Sequence, residues 1–465
     1  MKIESNSQLI KVLLLFLGIV IISGCATKEK LYYAAPTLLP ETERAMKTAG
    51  FWTGRNPCPD RIILDREGIE TLNLYVRDEL RLTLDITQLS SPFPGKEMTE
   101  KREEILAYYR GKRFYREDGS TLITRFYKEL VANMNFGSVP SGIDIRYGLV
   151  VRYTDQRVFP TGEAIYAKPY DIDFDEFQNS ALDIGTPVAV MHTSLDGKWY
   201  YVKDQLDSGW VPVENVALCS LDELEKFSGG TSFAVVIKPK GEIFLDLNMT
   251  VYYDYARMGA KFPLLEKEDS GIARIALPFR KEDGTLLKKV GYIRGEDVHK
   301  GYLSYTPRNI IRQAFELLNA PYGWGGMYGE QDCSRFVQEV FATVGISLPR
   351  NSSNQSQVGI LIGELGDTAD ETTRLDLLSQ EAIGGCTLLY MRGHIMLFLG
   401  MVHDRPYAIH NPWAYRQKEW WGDKIRLINR VAVTDLSLGK GSKKGSFLER
   451  LCSIRLISCT DFNPL

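Results

Sequence analysis

Downstream of Cys333 the apolar residues fall at Phe336, Val337, Val340, Phe341 and Val344. That spacing predicts a helix with one buried stripe. Immediately before it, Pro321-Tyr322-Gly323-Trp324-Gly325-Gly326 carries no period and is rich in glycine, so a loop is expected to deliver Cys333 to the helix start. Farther along, Gly393–Leu399 and Tyr407–His410 read as successive strands, with His403-Asp404-Arg405-Pro406 turning between them. A turn centred near His403 sets His410 opposite Met396 and makes His394 its diagonal neighbour on one face.

The earlier chain divides by texture. Phe51 to Asn135 reads mostly helical, with one stripe at Ile69, Leu72, Val76 and Leu80 and a second segment at Ile105, Leu106, Tyr108 and Tyr109. From Tyr147 the pattern changes to short strands. Pro187–Val190, Trp199–Val202 and Trp210–Pro212 are separated by turns at Leu195–Lys198 and Asp207–Gly209, the habit of a small barrel. A looser copy runs from Thr231 to Tyr302, with a turn at Asp283-Gly284 and a closing strand at Val290–Ile293. Trp199, Tyr200, Tyr201 and Trp210 form either a sugar- or peptide-binding face or the barrel's own core. The polar run Arg152–Thr161 reads as a solvated loop, with a loop reaching the active-site cleft as the alternative.

Length and charge narrow the classes. At 465 residues the chain can hold about three domains, and a net charge of −3 offers no general attraction for nucleic acid. The glycines at 323, 325 and 326 lack the Gly-Lys-Ser/Thr of a phosphate loop, and no Cys or His pair has the short spacing of a zinc site. Neither a metal nor a cofactor is therefore expected. Lys2 and Lys11 precede an almost wholly apolar Val12–Ile22, and Ile22-Ser23-Gly24-Cys25 follows, the layout of a secretory signal too short to favour a membrane span. Cys58, Cys219, Cys386, Cys452 and Cys459 cannot all pair and are taken as structural thiols. In a straight strand, Cys452 and Cys459 would stand roughly 20 Å apart, too far to bridge.

Cys333 carries the chemistry. A cysteine in the first turn of a helix meets unpaired N–H groups and the positive dipole end, both of which favour thiolate. His394 and His410, two of only five histidines, could act as base and orienting partner. Tyr-Gly-Trp-Gly-Gly, Asp332-Cys333-Ser334, Leu348-Pro349-Arg350-Asn351-Ser352-Ser353-Asn354-Gln355, Gly393-His394 and Ile409-His410-Asn411 together resemble the NlpC-type cysteine peptidases. These are papain-like enzymes that cut cell-wall stem peptides. The likeness runs from about Tyr305 to the C-terminus, roughly a third of the chain.

The resemblance implies Cys333 as nucleophile, His394 as general base and His410 as third polar residue. It makes Asp332, Ser334, Tyr322, Ser352 and Arg350 candidates for substrate binding, with Asp332 receiving a substrate ammonium or merely capping the helix. Ile-Ser-Gly-Cys resembles the bacterial lipoprotein box, which implies lipidation of Cys25 and, since Ala26 follows, the periplasmic side of an outer membrane if the cell has one. Residues 146–222 and 228–303 resemble bacterial SH3-like domains, the first with its Gly209-Trp210-Val211 ending.

The expected architecture is multi-domain α+β: signal peptide 1–24, tether 25–45, helical N-terminal domain 46–145, two SH3-like barrels over 146–222 and 228–303, and a papain-like catalytic domain over 304–465. The expected function is hydrolysis of peptidoglycan stem peptides or muropeptides, at the γ-D-glutamyl–diamino acid bond of peptides with a free N-terminal L-Ala. The chain is expected to act as a membrane-anchored monomer with no nucleic-acid partner. A non-catalytic peptidoglycan-binding lipoprotein, or a thiol acyltransferase or amidase on the same fold, are the alternatives.

Overall fold

The computed structural model describes residues 38–267, 271–366 and 369–459. The expected signal peptide, Cys25 and the tether through residue 37 lie outside the described residues. Residues 146–300 form two antiparallel sheets of seven strands each. The first comprises Arg146–Val150, Thr154–Arg157, Gln178–Leu182, Pro187–Thr193, Trp199–Lys203, Ser208–Pro212 and Val216–Cys219. The second comprises Phe233–Val236, Lys240–Phe244, Tyr252–Arg257, Lys261–Lys267, Ile272–Arg280, Leu286–Arg294 and Val298–Lys300. Numbered within each set, both sheets run in the same spatial order: third, second, sixth, fifth, fourth, first, seventh.

Two readings of the first sheet are decided by burial. Tyr201 and Trp210 are buried and pack around Phe136, and Tyr200 is buried too, so this aromatic group is core rather than a binding face. The polar run Arg152–Thr161 is no solvated loop. Thr154–Arg157 is a strand, and the Arg157 guanidinium is buried against Asp175 and Gln178. Polar density misleads here because the charges neutralise one another inside the fold.

The N-terminal helices also depart from expectation. Residues 46–145 do not close a core of their own. Trp52, Leu72 and Val76 join a cluster with Phe336, Val340 and Phe341 of the Cys333 helix. Met98, Tyr109, Leu130 and Phe136 instead join Tyr201 and Trp210 inside the first barrel. Short amphipathic helices such as Arg66–Leu74 and Thr124–Asn133 need a partner for their apolar stripe, and these find two different ones.

The third large sheet is antiparallel, in the order Ile360–Glu364, Ser453–Leu456, Thr387–Met391, His394–Val402, Arg405–His410, Ala432–Asp435. The helix Cys333–Ala342 lies on one face, its Phe336, Val337 and Val340 clustered with Ile395, Leu397 and Ile409. Met396, Phe398 and Ala408 face the other side, with Leu436, Phe447 and Leu448. The hairpin turns on His403 and Asp404, both at positive φ, and pairs Val402 with Arg405. That centre is half a residue from the one expected. A bulge between Phe398 and Gly400 absorbs the difference and restores Leu397 opposite Ile409, which carries His410 across from Met396.

Candidate active site

Cys333 is the first residue of its helix, and Asp332 is the N-cap. Asp332 Oδ1 accepts the Arg335 amide at 2.8 Å, which satisfies one of the unpaired donors of the first turn. Its carboxylate also accepts from Gly325 N, Ser334 Oγ and Arg350, the last through Nη1 at 3.2 Å and Nη2 at 2.7 Å. A carboxylate has about four lone-pair sites, so this one is fully engaged. Burial alone would raise the Asp332 pKa, but the Arg350 charge and these hydrogen bonds hold it below the usual carboxylate range. Asp332 is thus the helix cap and the ion-pair partner of Arg350.

The two histidines meet as their strand register requires. His394 Nε2 and His410 Nδ1 are 2.6 Å apart, and His410 Nε2 lies 2.8 Å from Thr434 Oγ1. One proton placement lets this chain serve a base. If His394 Nε2 carries hydrogen, it donates to His410 Nδ1, and His410 Nε2–H donates to Thr434, which leaves His394 Nδ1 as a free acceptor. His410 and Thr434 are fully buried, so their orientation is fixed by these bonds. Asn411, the next residue, is buried as well and donates to the Gln331 carbonyl at 2.7 Å, which ties the end of the histidine strand to the segment entering the Cys333 helix.

Electrostatics revise the expected thiolate. Burial, reinforced by the Asp332 carboxylate, pushes the Cys333 thiol up to about 12, and the Ile395 and Ser334 amides with Arg350 only partly oppose this. Burial pushes His394 down to about 3, with Arg450 adding to the effect and Asp332 opposing it. His410 is likewise held low by burial and by its neighbour His394. The helix start does not outweigh desolvation. Both shifts run in the direction of a neutral thiol and a neutral imidazole.

The remaining candidates fall into place around this centre. Arg350 is buried and, besides Asp332, bonds Ser334 Oγ and Ser180 Oγ of the first barrel, each at 3.0 Å. Arg350 and Ser334 both bond Asp332. Gln355 donates to the Ser334 and Pro349 carbonyls at 2.9 Å, so together with Arg350 it braces the start of the Cys333 helix. Ser352 opens the short helix Ser352–Gln355 and is half-buried. Tyr322 is half-buried, its hydroxyl pKa raised by burial and then by Asp332 and Cys333. Its ring meets Phe174 from the first barrel, and Phe174 also contacts Trp324 and Trp413. An aromatic shelf thus borders the cysteine.

The glycine loop has a reason beyond flexibility. Gly325 and Gly326 are at positive φ, and a Cβ on either would come within 2.8 Å of Gln178 or Ala181 side-chain atoms in the first barrel. The loop is pressed onto that barrel, where the Tyr153 hydroxyl donates to the Gly326 carbonyl and Gln178 Nε2 to that of Gly325. A second contact joins all three sheets. Asp183, directly after a strand of the first sheet, accepts from Arg257 of the second sheet and from Arg335 of the Cys333 helix, and Arg335 also pairs with Glu339. Among the described residues no group of three or more His, Cys, Asp or Glu side chains is arranged to hold a metal ion.

Thr434, Asn411, Phe174 and the Asp183–Arg257–Arg335 network escaped the sequence reading as site-building residues. Only Asn411 had a local signal, its place directly after His410.

The family model described as NlpC/P60 matches residues 319–417, and one described as an SH3 domain of the SH3b1 type matches 165–212. The gamma-D-glutamyl-L-lysine dipeptidyl-peptidase of Bacillus cereus (strain ATCC 10987 / NRS 248) is 27% identical over 165 residues, 33% of this chain and 44% of that protein. The bifunctional muramidase/DL-endopeptidase CwlT of Bacillus subtilis (strain 168) is 34% identical over 86 residues, 17% of this chain and 26% of its own length. The chain thus spans less than half the length of these relatives. An NlpC/P60 endopeptidase from Photobacterium damselae subsp. piscicida shares the fold, with a TM-score of 0.69 at 20% identity over 86% of this chain and 94% of that one. Cys333, His394 and His410 all lie inside residues 319–417, the stretch of this chain that matches the NlpC/P60 family model.

Proposed function

We propose that this protein is a cysteine peptidase that hydrolyses peptidoglycan stem peptides, at the γ-D-glutamyl–diamino acid bond of short peptides with a free N-terminal L-Ala. The observation that carries the reading is the hydrogen-bonded line His394–His410–Thr434, with Cys333 at a helix start packed against Ile395, the next residue along the His394 strand. His394 Nδ1 takes the Cys333 proton as Sγ attacks the amide carbonyl, since Nε2 is held by His410. The first-turn amides of the Cys333 helix face the developing oxyanion. The imidazolium then protonates the departing amine, leaving a thioester. His394 next removes a proton from water, and hydroxide addition expels the thiolate and frees the acid. Because the resting thiol is neutral, proton transfer accompanies attack.

The names of the Bacillus relatives support the choice of bond. With Asp332 occupied, the substrate amine needs another acceptor, and Asp173 supplies a half-buried carboxylate in the same aromatic shelf, where it accepts the Trp413 indole N–H at 2.7 Å. The test compares L-Ala-γ-D-Glu-diamino acid peptides with free and acetylated N-termini, with products identified by mass spectrometry. The free peptide is expected to be cut at least about a hundredfold faster, since an acylated amine leaves a carboxylate unpaired. Asp173→Asn is expected to narrow that ratio. Equal cleavage of the two peptides by the native enzyme would overturn the amine requirement.

The identical strand order of the second sheet supports reading residues 228–303 as a further SH3-like barrel. The N-terminal sequence supports export with a lipid on Cys25, facing the periplasm from the outer membrane where the cell has one. Cys25→Ser is expected to move the protein from the membrane to the soluble fraction. Continued firm sedimentation with membranes would point to an uncleaved apolar segment instead.

A further inference from the structure

The strands Ala414–Glu419 and Gly422–Leu427 form a two-stranded hairpin that belongs to none of the larger sheets. Its tip is Trp420-Trp421, exposed to 89% and 93%. Ile425 and Leu427, on one face of the hairpin, are exposed to 48% and 61%. Large apolar side chains on a soluble surface are unremarkable singly, but two adjacent indoles at the end of a projecting ribbon have no folding role. None of the apolar clusters of the described residues includes either indole. They do not build the cleft either: the aromatic shelf beside Cys333 is made of Phe174, Tyr322, Trp324 and Trp413.

The charges around the tip have one dominant sign. Lys418 and Lys424 flank the tryptophans on the two strands, and Lys443 and Lys444 are brought alongside by the Lys443 amide, which donates to Asp423 Oδ2 at 2.8 Å. All four lysines are exposed. The carboxylates nearby are already engaged: Glu419 with Arg426 at 2.8 Å, and Asp423 with that amide. Farther back, Glu371 pairs with Lys440. Indoles ringed by lysines match the boundary of an anionic bilayer, where an indole buries its ring among acyl chains and keeps its N–H at the headgroups.

We propose that this hairpin is a membrane-surface contact, with Trp420 and Trp421 entering the interface of an anionic lipid bilayer and Lys418, Lys424, Lys443 and Lys444 meeting its headgroups. The hairpin carries this inference by itself and needs neither the peptidase reading nor lipidation. A lipid on Cys25 would make the contact stronger, because the chain from Cys25 to Leu39 can extend no more than about 50 Å. Tyr415 at the hairpin base and Leu39 pack against the same apolar cluster. Two weak contacts sharing one surface reinforce each other.

The full chain is mixed with vesicles of phosphatidylcholine containing increasing phosphatidylglycerol, with brominated or ordinary acyl chains, and tryptophan emission is recorded. Brominated chains are expected to quench a component that is lost in Trp420→Ser/Trp421→Ser, at unchanged circular dichroism. Quenching is expected to fall at least about fivefold in pure phosphatidylcholine and in Lys418→Gln/Lys424→Gln/Lys443→Gln/Lys444→Gln. Since the subtraction isolates the hairpin indoles, it reads their depth however the N-terminus is held. Equal quenching in the native chain and the double Trp variant would overturn the proposal. So would a tip emission that shifts with soluble glycan strands but not with vesicles, or one that depends on protein concentration alone, which would assign the indoles to glycan or to a second copy of the chain.

Discussion

Cys333→Ala is expected to lower turnover of a stem peptide by about 10⁴-fold or more while leaving the melting profile nearly unchanged. The thiol makes the covalent bond, and no neighbouring side chain can replace it: Ser334 Oγ is held between Asp332 and Arg350. Structurally the change is small, since Cys333 sits at the edge of an apolar cluster and Ala keeps the helix start. His394→Ala is expected to be nearly as damaging, whereas His410→Asn should retain more activity because an amide can still accept from His394 Nε2. Cys333→Ala protein that cleaves at the native rate would end the peptidase reading.

The same site sets a pH signature. His394, held down to about 3, stays a neutral base well below the ordinary histidine value of about 6.5, so the rate should not fall as pH drops through 6. Stability behaves differently. The unfolded chain takes up protons near 6.5 that folded His394 refuses until about 3, so the folded state loses ground as pH falls across that window. Buried His410 works in the same direction.

What the sequence made legible is what local periodicity governs. The stripe from Phe336 to Val344 announced the Cys333 helix, and the alternation through His394 and His410 announced their strands, because each pattern spans neighbours in one element. Even the half-residue error in the turn was harmless, since the bulge at Phe398–Gly400 returned the histidines to one face. Thr434 was invisible by contrast, lying 24 residues beyond His410 in a run that reads as ordinary strand. The burial of the Cys333 thiol was out of sight for a related reason. Helix position is local, but the desolvation that outweighs it comes from a whole core. Arg157 suggested solvent and Arg350 substrate because their partners lie far along the chain: Asp175 is 18 residues from Arg157, and Ser180 is 170 residues from Arg350.

Arg350→Ala is expected to be the most destabilising single change near the site. The guanidinium is buried, and it faces a buried Asp332 carboxylate that would be left without its charge partner. Losing one member of a buried pair costs about 3–5 kcal/mol, because the remaining charge has been taken out of water. The contact with Ser180 goes too, and with it part of the seam between the first barrel and the Cys333 helix. Thermal unfolding followed by circular dichroism should show an early transition in this variant. Arg350→Met combined with Asp332→Asn should recover much of the loss, because no unpaired charge remains, although the helix cap is weakened. The pH dependence has a definite sign. The Asp332 pKa is lowered in the folded state, so the pair contributes above the unfolded carboxylate value and its contribution is lost as pH falls through the folded one. The gap between native protein and Arg350→Ala should therefore narrow in acid. A gap that stays constant from pH 7 to pH 3 would show that Arg350 acts through its volume and not through its charge.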